Sequence, residues 1–244
     1  MTIDNAFYED LGERWYRAQD DPVALLRAEA RLRTAWVLAS LPGPGLRVLD
    51  VGCGGGFLSN PLAEAGHETV GLDLSRGALA VARRHDGTGR VRYLAADALR
   101  LPFPDSSFDA VCAMDFLEHI PDPGVFLAEA ARVLKPGGRF FFHTFNRNPV
   151  SHLVAIKGVE WTVRNTPRHM HVIEMFIKPR ELAALCAGRG LAVRELRGVR
   201  PRVLCWPFLK LLLGGTVDDR FQFLFTRSLL LGYCGIAVKG GHAA

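Results

Sequence analysis

The stretch Val48-Leu49-Asp50-Val51-Gly52-Cys53-Gly54-Gly55-Gly56 constrains the fold more than any other part of the chain. A short β-branched, apolar run passes into a glycine loop, and an apolar/polar helical pattern follows from Leu58 to Gly66. Strand, glycine turn and helix in this order open a nucleotide-binding α/β unit, because only glycine lets backbone pack closely on a ligand while the chain turns. A dinucleotide fingerprint needs a small residue at 57, where Phe57 stands. Asp50 gives the loop an acidic start, with no evident cradle for a pyrophosphate. The loop therefore favours a nucleoside without phosphate, such as S-adenosylmethionine. A glycine-rich turn that holds no ligand is the plain alternative.

Further markers follow in order. Val70-Gly71-Leu72-Asp73-Leu74 reads as a second strand ending in an acid about 20 residues after the loop, the place from which a carboxylate reaches ribose hydroxyls. An aspartate there also suits a helix N-cap, a role for which Ser75 competes. Tyr93-Leu94-Ala95-Ala96-Asp97 gives a third strand ending in a carboxylate suited to an adenine amino group, and Phe108 to Met114 a fourth. Leu134-Lys135-Pro136-Gly137-Gly138 introduces a fifth, Arg139 to Thr144. Alternating strand and helix signals from 48 to 145 predict a parallel sheet covered on both faces. Ligands then bind beyond the carboxyl ends of the strands, where Gly52, Asp73, Asp97 and Met114 fall. This ordered set resembles the class I S-adenosylmethionine-dependent methyltransferases. The resemblance implies an α/β, Rossmann-like fold with a mostly parallel seven-stranded sheet and helices on both faces, with Asp50, Gly52, Gly54, Asp73, Asp97 and Met114 at the cofactor.

With 244 residues, 49% of them apolar, the chain suffices for one α/β domain with a full core. It divides into an N-terminal helical cap (1–44), a cofactor-binding core (45–145), a basic, apolar lid (146–178) and C-terminal strands and helices (179–244). The start, Met1-Thr2-Ile3-Asp4-Asn5, lacks a signal-peptide core, and five cysteines without paired spacing suit a reducing compartment, so a cytoplasmic place is expected. The net charge is +5, but no dense Lys/Arg cluster interleaves with aromatics, and no nucleic-acid partner is expected. Instead Arg147, Lys157, Arg164 and Arg168 stand against Glu160 alone between 147 and 172, threaded with Val150, Leu153, Val154 and Trp161. That composition suits a helix lying in a membrane interface, at the inner face of the membrane, or a lid packed on the sheet.

Three later segments narrow the family: Asp115-Phe-Leu-Glu118-His119-Ile-Pro-Asp-Pro123, Phe142-His143 to Pro149, and His171 followed by Phe176-Ile-Lys-Pro-Arg-Glu-Leu182. Together they look like the ubiquinone-biosynthesis O-methyltransferases, from about residue 7 to about residue 190. The resemblance implies methylation of a catechol-type hydroxyl on a polyprenylated ring. It places Arg33 at the methionyl part of the cofactor, and Asp115, Glu118 and His119 where the family holds a divalent metal with Glu at the first position. Met170-His171-Val172 replaces the family's Thr-His-Asp, and the C-terminal part is longer and more apolar. Its runs, Leu204 to Leu213 and Phe221 to Val238, are interrupted by Pro207 and Lys210 and by Arg227, short of the ~20 apolar residues of a membrane span.

A methyl leaves a sulfonium by in-line attack, and a free phenol, with a pKa of about 10, is mostly neutral at physiological pH. Either a general base or a metal that lowers the hydroxyl pKa answers this. Asp115, Glu118 and His119, at i, i+3 and i+4, share one side of a helical turn, as a magnesium, manganese or zinc site or as a polar loop with a cap. His143, His152, His171 and Glu118 are the candidates for proton transfer. The sequence thus reads as an O-methyltransferase acting on a small aromatic or lipid-tailed phenol, with peripheral membrane contact through 147–172. A tailoring enzyme for a soluble aromatic product and a non-catalytic cofactor-binding module are the alternatives.

Overall fold

The alternation between 48 and 145 builds five parallel strands: β1 (Arg47–Val51), β2 (Glu68–Asp73), β3 (Arg92–Ala95), β4 (Phe108–Met114) and β5 (Leu134–Phe145). The computed structural model describes residues 5–167 and 170–240. Three further strands, β6 (Leu191–Pro201), β7 (Phe223–Thr226) and β8 (Gly232–Lys239), extend the sheet antiparallel from β5. The order is β3-β2-β1-β4-β5-β8-β6-β7, eight strands rather than the seven expected. The additional edge, β7, comes from the apolar C-terminal stretch and pairs with Gly198–Pro201 of β6. β1 sits between β2 and β4, so the strand order reverses there, and a crevice opens above the carboxyl ends of those strands.

Strand side chains alternate between two cores. Leu49, Val51, Val111 and Ala113 pack with Phe126 and Leu182 on one face. Val48, Ala110 and Cys112 pack with Trp36, Val37 and Leu62 on the other. The helices are α1 (Arg14–Arg17), α2 (Pro22–Ser40), α3 (Ser59–Glu64), α4 (Arg76–Arg84), α5 (Pro123–Val133), α6 (Pro149–Ser151), α7 (Val159–Thr162), α8 (Pro179–Ala187) and α9 (Trp206–Gly214). A π-helical turn, His152–Gly158, joins α6 to α7 in the lid. Such turns are rare and recur at functional sites.

Local chemistry fixes several boundaries. Asp122 accepts from the N–H groups of Gly124 and Val125 and, with Pro123 in the first turn, starts α5. Ser75, not Asp73, caps α4, accepting from Ala78 N–H at 2.9 Å, which leaves Asp73 facing the crevice. Pro207 divides the C-terminal apolar run by starting a helix rather than ending one. It stands in the first turn of α9, where its missing N–H costs nothing.

Candidate active site

The glycine loop takes its shape from three left-handed glycines, Gly52, Gly54 and Gly56, at φ of 69°, 49° and 85°. A Cβ on Gly52 would lie 2.6 Å from the Phe116 ring, and one on Gly54 2.7 Å from Trp15, so side chains are excluded twice over. Gly54 N–H donates to Asp73 Oδ2 at 2.9 Å, and Ser75 N–H donates to Oδ1 at 2.9 Å. Both carboxylate oxygens are thereby oriented at the end of β2. Leu74, next to it, is 71% exposed on the same cavity, an apolar surface for a planar base that sequence reading missed. Asp97 uses Oδ1 to accept from Leu99 N–H and remains exposed. Asp50 is buried beneath the loop and accepts from Ser59 Oγ at 2.6 Å, and burial pushes its pKa up to about 7.

Next to this end lies a buried charge cluster. Arg33 of α2 pairs with Asp115, which follows β4, and Asp115 Oδ1 accepts from His143 Nδ1 of β5. His143 Nε2 lies 3.0 Å from Glu29 Oε1, off the line of a good hydrogen bond. With Nδ1 committed to Asp115, Arg33 Nη1 at 2.7 Å from that atom is a close approach of two cations. Two cations and two carboxylates balance. Burial opposes ionisation throughout, yet Arg33 and His143 hold Asp115 well below the usual carboxylate range. Against the same burial, Glu29 and Asp115 raise His143 to about 9. His143 is thus protonated and fully buried at neutral pH, which removes it as the base the sequence offered. Asp115 itself sits at φ 52°, a left-handed conformation that a non-glycine residue holds only when its surroundings impose it.

That backbone choice explains a second difference. The i, i+3, i+4 expectation for Asp115, Glu118 and His119 needs helical backbone throughout, whereas only Leu117–His119 form a 3₁₀ turn. Asp115 turns back to Arg33, and Glu118 accepts from Thr144 Oγ1 at 2.9 Å. Among the described residues, the donor atoms that gather within 4.8 Å of one another belong to Glu29, Asp115 and His143. Glu118 Oε1 and His119 Nδ1 are nevertheless buried without hydrogen-bond partners, while Asp115 Oδ2 is the atom paired with Arg33. Burial, then the Asp115 charge, raises Glu118 to about 7. Burial, then His171, lowers His119 to about 3, and burial lowers His171 to about 4, so both imidazoles are neutral. Their ring centroids are 5.5 Å apart.

One cavity of about 1020 Å³ collects these parts. It is lined by Arg33, Asp50, Gly52, Gly54, Asp73, Asp97 and Met114, then by Asp115, His119 and His171. Glu118 and His143 stand behind its wall. Beyond the charge cluster it continues between α2, the lid, α9 and β7, against Leu25, Val159, Phe208, Leu211, Phe221 and Phe223. The volume stands at the upper end of the roughly 300–1,000 Å³ of most small-molecule sites. In the lid, Arg147 is paired with Glu181 and Lys157 with Glu160 at 2.7 Å, and Val150, Leu153, Val154 and Trp161 are exposed. Arg168 lies outside the described residues. No described helix is long and apolar enough to cross a membrane.

Residues 49–142 match the family model described as a methyltransferase domain. The chain is 41% identical to a ubiquinone biosynthesis O-methyltransferase of Hahella chejuensis, over 79% of this chain and 82% of that protein. It is 40% identical to one of Ralstonia nicotianae over the same shares. Among solved structures, a SAM-dependent methyltransferase of Thermotoga maritima, a possible histamine N-methyltransferase, superposes with a TM-score of 0.62 at 22% identity, over 93% of this chain and 94% of that one. Magnesium protoporphyrin IX methyltransferase of Synechocystis, with bound SAH, gives 0.59 at 20% identity, over 86% and 82%. At those identities the structural likeness speaks for the fold alone.

Proposed function

The chain belongs to the ubiquinone biosynthesis O-methyltransferase family, and from that premise we propose that it transfers the methyl group of S-adenosylmethionine to a phenolic hydroxyl of a quinone precursor bearing an apolar tail. The observation that carries this reading is the single cavity in which a nucleoside-shaped polar end meets an apolar limb across the Asp115–Arg33 pair. Asp73 accepts from the ribose hydroxyls, Asp97 from the adenine amino group, and Leu74 backs the base. Gly52 and Gly54 admit the methionyl chain alongside Met114, and Arg33 turns from Asp115 to the methionyl carboxylate.

The acceptor ring lies next to His171, whose neutral imidazole takes the hydroxyl proton as the oxygen attacks the sulfonium methyl. Glu118 and His143, behind the wall, position rather than react. A divalent ion on Asp115, Glu118 and His119 belongs to the same proposal, supported by the buried unpartnered atoms Glu118 Oε1 and His119 Nδ1. Asp115 gives up Arg33 to hold it, since the three groups do not converge as they stand. Such an ion, when bound, lowers the pKa of the hydroxyl and orients a catechol. The lid between 147 and 172 brings the exposed apolar side chains of Val150, Leu153, Val154 and Trp161 to a membrane surface from which a lipid-tailed acceptor is drawn.

The test is methylation of a catechol series with S-adenosylmethionine, products identified by mass spectrometry, before and after EDTA. Methyl ether formation that falls on chelation and returns with magnesium, manganese or zinc supports the whole reading. Cofactor binding without turnover on any catechol leaves a binding module in its place.

A further inference from the structure

Two of the lid's cations, Arg147 and Lys157, are spent on acidic partners within the protein. A second surface, which the sequence left without a role, is better equipped. Six of the thirteen large apolar side chains left exposed among the described residues lie between 203 and 213, with Leu204 at 94%, Leu213 at 79% and Trp206 at 63%. Apart from Lys210, α9 is apolar all the way round. Phe208 and Leu211 face the cavity and are covered by Val159 and Val163 of the lid region, while Trp206, Leu209 and Leu213, at i, i+3 and i+7, form an outward stripe. Its one charged residue, Lys210, is turned to Asp218 at 3.3 Å.

The helix is held at both ends. Gly215, left-handed at φ 65°, closes it and accepts from Arg164 N–H of the lid, and Arg202 N–H donates to Gln222 O just before it. A rigid helix with a bare apolar stripe implies a cover. The flanking charge says which: Arg200 and Arg202 are exposed beside the stripe and form no ion pair among the described residues, and Arg164 at the far end is likewise exposed without one. Cations around an apolar stripe carrying a tryptophan match an anionic lipid surface, whereas a second copy of this chain would oppose like charges.

We infer that the outer face of α9 inserts into the headgroup region of an anionic bilayer, with Arg200 and Arg202 on the phosphates. Because its inner face lines the apolar limb, the same helix puts the cavity beside the lipid phase. The link to an apolar-tailed acceptor rests on the function proposed above. The membrane contact itself does not, and it is measured without any acceptor.

The experiment is co-sedimentation of the full chain with phosphatidylcholine vesicles, with and without phosphatidylglycerol, for wild type, Trp206→Ser/Leu213→Ser and Arg200→Glu/Arg202→Glu. Neither pair lines the cavity, so methylation of a soluble, tail-less catechol reports on folding and on the functional reading separately. We expect wild type to bind the anionic vesicles and the apolar double variant to bind at least about 10-fold more weakly. The charge-reversed variant should lose the preference for phosphatidylglycerol. Quenching of Trp206 by brominated lipid in a Trp161→Phe background should place the indole in the bilayer. Unchanged binding by the apolar variant, or an unquenched Trp206, overturns the inference. So does a wild-type dimer in sedimentation that the same variant dissociates, which would make the cover a second copy. Failure to methylate any catechol, with vesicle binding intact, removes the functional reading and leaves this one standing.

Discussion

The two ends of the cavity are built by different means. At the cofactor end, backbone does the shaping: left-handed glycines exclude side chains, and backbone N–H groups orient both oxygens of Asp73. At the apolar end, side chains from α2, the lid, α9 and β7, nearly 200 residues apart in sequence between Leu25 and Phe223, meet through apolar contact. A backbone-built site tolerates almost no added atoms, because the conformation itself is at stake. A side-chain-built wall gives way in small steps, each set by the area it loses.

The sharpest test of this contrast is Gly52→Val. Its Cβ meets Phe116 at 2.6 Å and its φ is unfavourable, so calorimetry should find S-adenosylmethionine binding lost, by more than about 100-fold. Retained affinity would mean that the loop adapts as a side-chain wall does. Asp73→Ala should be less severe. Loss of hydrogen bonds to a charged group, each worth about 1.5–3 kcal/mol, should weaken the cofactor about 10- to 150-fold.

At the other end, Phe208→Ala shortens the wall without touching the cofactor. KM for a long-tailed catechol should rise about 10-fold, while a tail-less catechol and S-adenosylmethionine keep theirs. A matching change in cofactor affinity would show the ends to be coupled.

The smallest expected effect concerns Asp50, which burial raises to about 7. A carboxyl with a raised folded-state pKa adds stability that is complete below its unfolded value near 4 and is lost as pH rises through about 7. Asp50→Asn, which keeps the shape and stays neutral, should therefore melt above wild type at pH 8 and lose that advantage by pH 5. A shift of about 2–4 °C is expected per kcal/mol. Melting curves that stay parallel over this range would place the ionised form, not the neutral one, in the folded protein.

The same contrast decides what the sequence made legible. The positions around Gly52, Asp73, Asp97 and Met114 follow from the strand order, since each lies at or within two residues after the end of a parallel strand, and strand ends are local signals. His143 shows where local reading stops. Its neighbours in sequence mark it as a polar residue near the site, but its protonation is set by Glu29 and Asp115, from α2 and the end of β4. Asp115 misled for the same reason, because its left-handed turn toward Arg33 answers a partner 82 positions earlier. The eighth strand and α9 were read only as interrupted apolar runs. Pro207 breaks a spanning helix but begins a short one, and only the packing of α9 on the lid distinguishes the two.

In the proposed reaction an apolar acceptor tail and the cofactor share one cavity. The most direct measurement is kcat/KM for catechols differing only in alkyl tail length, at saturating S-adenosylmethionine. Each buried methylene, worth about 0.8 kcal/mol, should raise kcat/KM up to about 4-fold until the limb between α9 and β7 is filled. A plateau should follow, and Phe208→Ala should flatten the rise. A value independent of tail length in the wild type would contradict a shared cavity.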